Sequence, residues 1–441
     1  MNVKIEAMSK VRTRFAPSPT GSMHIGNLRT AFYAYVLSKH DDGDFILRIE
    51  DTDKKREAEG EVEEIKKLLT MFNIKWDEYY IQSDRLSLYK KAAKKLIDED
   101  HAFYCECKAK NAKDEGFSKD LRDPCREKGL TKGAIKLKVP EGEKIAFTDY
   151  ILQKEVSWDS SFVADTTLLK SDGFPTYHLA VVADDNDMKI SHVLRGHDWM
   201  PSTPIHLLVY RYLGFSVPEI GHLTDILDPE GGKLSKRKGS TSVAGLIADG
   251  YLPEALFNFV ILLGWAPKDN REIFSLSEFV ETFDPAGFQT SNPIFNRDKL
   301  DWFNGHYIRQ KSDEELLELF KPFVPKDASE EKLKKVIPLI KDRIKKLSDF
   351  ESFAGFFFEE KLVDKKLFGK DYKKHLEKAL EAIENEISLD QVPKGNNFNV
   401  GDFFMDLRIA ITGSKFTPPV NESIEILGKE ESAQRIEKVL E

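Results

Sequence analysis

The chain has 441 residues, 41% hydrophobic and 32% charged, a balance that gives ample material for several cores and excludes both a disordered tail protein and a membrane protein. Lys and Arg number 66 against 75 Asp and Glu, a formal net charge of -9, the wrong sign for an indiscriminate nucleic-acid binder. The apolar stretch 256–266 is too short to cross a bilayer, the amino terminus has no block of signal-peptide length, and three cysteines are too few for a secreted disulfide framework, so a cytoplasmic protein with no membrane partner is expected.

Taken in chain order, Val11–Phe15 reads as a short strand. A Pro/Ser/Thr/Gly loop follows, then a helix in which Leu28, Ala31, Phe32, Tyr35 and Val36 recur at helical spacing until Gly43. FILRIE, residues 45–50, is apolar on both faces, as in a sheet covered on both sides. A charged helix from about 57 to 72 gathers Val62, Ile65, Leu68, Leu69 and Phe72 on one stripe. This alternation predicts a doubly wound α/β domain. Between about 96 and 178 the pattern loosens into short strands and turns, and reads as an insertion. The apolar run HLAVVADD, 178–185, and the strand-like ISHVLRG, 190–196, then resume the α/β pattern, so the parent sheet is split in sequence. From about 313 the period is helical, with Leu316, Leu317, Leu319 and Phe320, then Leu333, Val336, Ile337 and Ile340, then Leu376, Leu380 and Ile383 as core candidates. Residues 321–380 hold 16 Lys and Arg against 11 Asp and Glu, leaving the remainder of the chain at -14. Such a basic segment either meets a polyanion or is a solvated helical face.

Two stretches carry chemistry. In RFAPSPTGSMHIG, residues 14–26, a strand runs into a Pro/Gly loop whose His24 and Gly26 open a helix. Helix N-terminal amides face an anion there, Gly26 lets a nucleotide approach the backbone, and His24 can donate to charge developing on phosphate. A lone histidine at such a place is more often a cap or a surface residue. In KLSKRKG, residues 233–239, preceded by Gly231 and Gly232, clustered cations can gather around a triphosphate and neutralise leaving pyrophosphate; a solvated basic loop is the alternative.

Together these stretches resemble the HIGH and KMSKS signatures of class I aminoacyl-tRNA synthetases. RFAPSPTGSMHIG followed by LRIEDTD (47–53) resembles in particular the glutamyl-tRNA synthetases of the bacterial type. GFPTYHLAVVADD (173–185), the segment 195–210, ALFNFVILLGW (255–265) and the late LRIAITG, PP and LGKEE elements (407–431) follow in family order, so the likeness spans nearly the whole chain. It implies a class I Rossmann-type α/β catalytic domain split over 1–95 and 179–228, an acceptor-stem-binding insertion over 96–178, a connecting domain over 229–312 and an all-α anticodon-binding region over 313–441. It also implies a glutamate–tRNA ligase acting as a monomer on ATP, L-glutamate and tRNA, with Mg²⁺ accompanying ATP.

By the same resemblance His24, Lys233, Ser235 and Lys236 serve catalysis, and His24, Gly26, Asp198, Trp199 and Lys236 bind ATP. Arg14, Ala16, Ser18, Glu50, Tyr177 and Arg195 form the glutamate pocket, where a guanidinium fork suits a carboxylate and Glu50 receives the ammonium. Asn27 stands at the last histidine of the HIGH motif, and Val181 where some relatives have an asparagine that touches substrate. Cys105, Cys107 and Cys125 are candidate zinc ligands or reduced thiols. Leu121 occupies the place of a usual donor, with Asp123 and His101 as substitutes. Lys334, Lys335, Lys341, Arg343, Lys345 and Lys346 are candidate phosphate contacts, Phe356, Phe357 and Phe358 are expected in a core, and Arg408 and Gly413 match a late motif near the anticodon.

Overall fold

Arg12–Phe15 (β1), Asp44–Ile49 (β2) and Glu78–Ile81 (β3) pair in parallel, with Arg14 opposite Ile46 and Leu47 opposite Tyr79. The computed structural model describes residues 10–53, 60–107, 121–234 and 241–441. Between the strands run Ile25–His40 (α1) and Glu61–Met71 (α2), and Leu86–Asp98 (α3) follows β3. In β2 the residues Phe45 to Ile49 are all buried, as the two-sided apolar pattern requires. The expected start of α2 before residue 60 lies outside the described residues. Its stripe of Ile65, Leu68, Leu69 and Phe72 is buried, while Val62 is half-buried.

The insertion reads as short antiparallel strands. Ala102–Cys105 (β4), Ala134–Leu137 (β5) and Thr167–Leu169 (β8) form one sheet, and Lys144–Asp149 (β6) pairs with Lys154–Asp159 (β7) in a hairpin. The apolar run at 178–185 is a helix, Tyr177–Asp187 (α4), buried along Leu179–Asp185. The strand after it is His192–Gly196 (β9), which lies beside β1, where the Ser191 amide donates to the Arg12 carbonyl at 2.9 Å. Thr203–Leu213 (α5) leads to Glu219–Leu223 (β10), parallel to β9. β9 and β10 thus form a two-stranded parallel sheet beside the three-stranded one, with the insertion lying in sequence between the two.

The chain divides into two compact units, one of residues 1–246 and 257–296, the other of 247–256 and 297–441. In the second unit the core holds Leu376, Ala379, Ile383, Phe403, Leu407 and Ile436. Leu316, Leu317, Phe320, Leu333, Val336, Ile337 and Ile340 are buried as their spacing requires, whereas Leu319 and Leu380 are half-buried at the edges of their stripes. Phe356 and Phe357 are core residues, and Phe358 is half-buried against Phe350. Among the described residues no helix is long and apolar enough to cross a membrane.

Candidate active site

His24 is the N-cap of α1. Its ring Nδ1 accepts from the Asn27 amide and Asn27 Oδ1 accepts from the His24 amide, both at 3.3 Å, a reciprocal cap built with the residue that departs from the HIGH signature. A ring that accepts at Nδ1 carries its proton at Nε2. Gly26 has a second role besides backbone approach: a Cβ there would lie 3.0 Å from the His24 ring. Thr241 and Val243 bond Ile25 and Met23 of the same loop, at 3.1 and 2.8 Å. Ser235 and Lys236 lie outside the described residues. Lys233 is described, and its ammonium is bonded to Asp198 and, at 3.0 Å, to Asp225. Burial opposes that charge, yet the two carboxylates outweigh it and raise the lysine above its ordinary value.

Two adjoining cavities meet at His24. One, of about 310 Å³, is lined by Gly26, Asp198, Trp199, Asp225 and Lys233. The other, of about 340 Å³, is lined by Arg14, Ala16, Ser18, Glu50, Tyr177 and Arg195. Every described residue assigned from sequence to ATP or glutamate therefore borders one of the two. His24, Asn27, Thr30, Gly196 and Trp199 border both.

Beneath the second cavity lies a buried array of charges. Asp185 accepts from Arg48 Nη1 at 2.6 Å and Arg14 Nε at 3.2 Å. Asp184 accepts from Arg85 Nε, Gln82 and Tyr89 at 2.8 to 3.1 Å. Arg48, fully buried in β2, also donates to Glu50 at 3.1 Å. Burial pushes Asp185 toward the neutral acid, but Arg14 and Arg48 outweigh it and hold the carboxyl below its ordinary range. Glu50 goes the other way, raised by burial despite Arg48 and Arg14. Sequence reading missed this array because Arg48 sits in an apolar strand and the DD pair ends what reads as an apolar run.

Arg195, 6% exposed, projects from β9. Its Nε donates to His222 Nε2 at 3.0 Å, its Nη1 to His206 Nδ1 at 2.9 Å and its Nη2 to Thr203 Oγ1 at 2.7 Å, with Tyr177 Oη 3.5 Å from Nη1. The Tyr177 ring lies against Trp199, centroids 4.1 Å apart. Burial and then the Arg195 charge hold His206 well below its usual value and His178 at about 4. His222 is also lowered, mainly by burial, against the pull of Asp149.

The cysteines converge. Donor atoms of Cys105, Cys107, Asp123 and Cys125 all lie within 4.8 Å of one another, the one such cluster of three or more potential ligands among the described residues. Of the two substitutes for Leu121, Asp123 joins the cluster, while His101 stacks on Tyr212 with centroids 3.9 Å apart. Three sulfurs and a carboxylate match the number and kind of donors zinc takes. Lys136 lies 2.6 Å from Asp123 and compensates part of their charge. Gly133 is held at φ +122, where a Cβ would collide with the Cys105 carbonyl at 2.4 Å. Burial pushes the Cys105 thiol up to about 12, so a metal would have to displace its proton.

In the second unit, four of the six cations proposed to meet phosphate are engaged internally. Lys334 pairs with Glu330, Lys335 with Glu331, Lys341 with Asp313 and Lys346 with Asp249. Arg343 and Lys345 are exposed. Arg408 is half-buried, its charge disfavoured by burial and by Arg343, and Gly413 caps the helix Val400–Thr412 in the left-handed region.

Comparison with known proteins places these features. Residues 10–302 match the model of the catalytic domain of class I tRNA synthetases (E and Q), and residues 315–440 match that of an anticodon binding domain. The chain is 40% identical to a glutamate–tRNA ligase of Dehalococcoides mccartyi over 97% of both chains. It is 36% identical to that of Treponema denticola over 98% of this chain and 99% of the other. Among solved structures it is similar to a glutamate tRNA ligase of Elizabethkingia meningosepticum in complex with its amino acid, at TM-score 0.81, 34% identity and 98% and 99% coverage. It is also similar to a glutamate-tRNA synthetase of Elizabethkingia anophelis, at TM-score 0.83, 33% identity and 98% and 100% coverage.

The Asp185 carboxylate joins two guanidiniums out of water, so removing its charge should cost about 3–5 kcal/mol. Asp185→Asn is expected to lower the denaturation midpoint at neutral pH. Because the folded-state pKa of Asp185 is depressed, its contribution is present above the unfolded value and fades as pH falls through the folded one. The gap between parent and variant in chemical denaturation should therefore narrow below about pH 4; a gap independent of pH would contradict the ion-pair account.

Proposed function

This chain belongs to the class I tRNA synthetase family of the glutamate and glutamine enzymes, and we infer that it is a glutamate–tRNA ligase. It activates L-glutamate with ATP to glutamyl-adenylate, then transfers the acyl group to the 2′-hydroxyl of the 3′-terminal adenosine of glutamate tRNA. The observation that carries this reading is the second cavity, where two guanidiniums, Arg14 and Arg195, border the same space as the Glu50 carboxylate. That charge pattern is complementary to a dicarboxylic amino acid.

The reaction needs no protein nucleophile. The glutamate α-carboxylate attacks the α-phosphorus of ATP, pyrophosphate leaves, and the adenylate then yields its acyl group to the ribose hydroxyl with release of AMP. The protein positions the reactants and stabilises charge. Arg14 and Arg195 hold carboxylate, Glu50 accepts from the ammonium, and Tyr177, Ala16 and Ser18 shape the pocket. His24 donates from Nε2 to phosphate oxygen at the N-terminus of α1, where the positive end of the helix dipole favours an anion. Asp198 and Trp199 border the nucleotide, with Gly26 beneath it. Lys233, Ser235 and Lys236 act on the phosphates, and Lys233 must exchange Asp198 and Asp225 for them. Mg²⁺ accompanies the triphosphate and offsets its charge.

In this reading residues 1–95 and 179–228 are the catalytic domain, 96–178 approach the acceptor stem, 229–312 connect, and 313–441 read the anticodon, with Arg343 and Lys345 available to backbone phosphates. The protein acts as a cytoplasmic monomer. Cys105, Cys107, Asp123 and Cys125 hold a structural zinc.

Labelled glutamate should be charged onto purified glutamate tRNA only with ATP present. Charging of that tRNA alone marks a discriminating ligase, charging of glutamine tRNA as well marks a non-discriminating one, and charging of neither sinks the reading. Lys236→Ala should reduce turnover by about 10²-fold or more with little change in glutamate affinity; unchanged turnover would remove Lys236 from the catalytic set. Elemental analysis of the purified chain should find about one zinc per molecule, lost in Cys125→Ser and weakened in Asp123→Ala, and a metal-free protein would leave three reduced thiols.

A further inference from the structure

Arg195 is held by an unusual set of partners. Within the described contacts, its four side-chain acceptors are two imidazole nitrogens and two hydroxyls, with no carboxylate among them. A guanidinium has five N–H groups and no acceptor. His222, His206 and Thr203 take three of them and Tyr177 Oη, at 3.5 Å, a fourth, which leaves one on Nη2.

The donors dictate the tautomers. Arg195 cannot give up its proton, so His222 Nε2 and His206 Nδ1 must both be bare. The His222 proton then sits on Nδ1, which donates to Asp149 Oδ2 at 2.6 Å. The His206 proton sits on Nε2 and donates to His178 Nδ1 at 3.1 Å. Asp149 is itself fixed, its Oδ1 accepting the amides of Ile151 and Leu152 at 2.9 Å. Asp149, His222 and Thr203 are fully buried, and His206 is 2% exposed. The direction of shift of all three imidazoles agrees with neutral rings.

We propose that His222 and His206 are positioning residues for amino-acid binding, neutral acceptors that aim Arg195 without cancelling its charge, and that Asp149, at the end of β6, sets the His222 tautomer. A carboxylate placed directly on Arg195, as Asp185 is on Arg14 at 3.2 Å, would hold the guanidinium equally well but offset part of its charge and weaken the pocket's attraction for an anionic side chain. Imidazoles hold it and leave the charge to the substrate. Asp149 lies in the stretch inserted between the halves of the parallel sheet, so one imidazole separates the insertion from the glutamate pocket. Arg48 and Asp185 do for Glu50 and Arg14 with full charges what this set does for Arg195 with neutral rings.

The inference rests on Arg195 holding a carboxylate of glutamate. Three variants of the full chain test it by tRNA charging, with KM for glutamate, KM for ATP, kcat and the thermal midpoint measured on each. In Asp149→Asn the amide oxygen keeps the two backbone N–H donors, so its NH₂ faces His222 Nδ1. The imidazole proton is then driven to Nε2, against the Arg195 Nε–H. His222→Leu removes the acceptor, and His222→Gln restores one.

Asp149→Asn and His222→Leu should each raise the glutamate KM by about tenfold or more, the loss of one hydrogen bond to a charged group, with the ATP KM within about twofold. His222→Gln should recover most of the glutamate affinity. An unchanged glutamate KM in Asp149→Asn or His222→Leu would overturn the proposal, as would glutamate and ATP KM rising in parallel or no recovery in His222→Gln. Should His222→Leu fail to fold, the near-isosteric Asp149→Asn decides. Arg195→Lys separates the two readings. If it leaves the glutamate KM unchanged, the assignment of Arg195 to the substrate fails; if it raises KM while the histidine and aspartate variants do not, only the positioning inference fails.

Discussion

Asp184 and Asp185, adjacent on α4 and out of reach of water, are paired with Arg85, Arg48 and Arg14. Burying such charges is costly, and the cost is offset only when every member keeps its partners at hydrogen-bond distance. That requirement fixes β1, β2 and α4 against one another to within the tolerance of a salt bridge. It also fixes two groups that face the cavity, since Arg14 leaves β1 toward Asp185 and Glu50 follows β2 beside Arg48. An array that contributes little net stability thus sets where the pocket's charges stand.

The other wall of the site depends on neutral polar contacts. His24 caps α1 with Asn27, so that the position where this chain departs from the HIGH signature becomes half of a reciprocal cap. Arg29, buried in the same helix, donates to the carbonyls of Leu263 and Thr224, which ties α1 to the chain after β10 and to the neighbourhood of Lys233. The two cavities therefore share a wall whose backbone is anchored from both sides.

The parallel sheet and its interruption were legible because β2 is apolar on both faces and the insertion lacks that pattern. The helical stripes of the carboxy-terminal region were legible for the same reason, failing only at Leu319 and Leu380, where a stripe reaches the edge of its core. What periodicity cannot show is a charge that enters the core with its partner. Arg48 interrupts a strand pattern without disturbing the fold because Asp185, 137 residues later, meets it. HLAVVADD reads as an apolar run, yet the two aspartates at its end are the buried anchor of the cavity's charges. Spacing left Asp123 and His101 level as companions of the cysteines, and only the turn before Cys125, capped by Asp123, separates them. Lysine counts marked a basic segment but not which lysines are already spent on neighbouring carboxylates. The pocket residues themselves were legible through whole motifs, not through any one residue type.

On the proposed reading, two guanidiniums and the Glu50 carboxylate around one cavity select a dicarboxylic amino acid. ATP–pyrophosphate exchange with glutamate and with glutamine, both in the presence of glutamate tRNA, tests it directly through the ratio of kcat/KM. A site built to hold a charged carboxylate should prefer glutamate by about 10³-fold or more. Comparable rates with the two amino acids would mean that Arg14 and Arg195 do not read the side-chain charge, and would contradict the account.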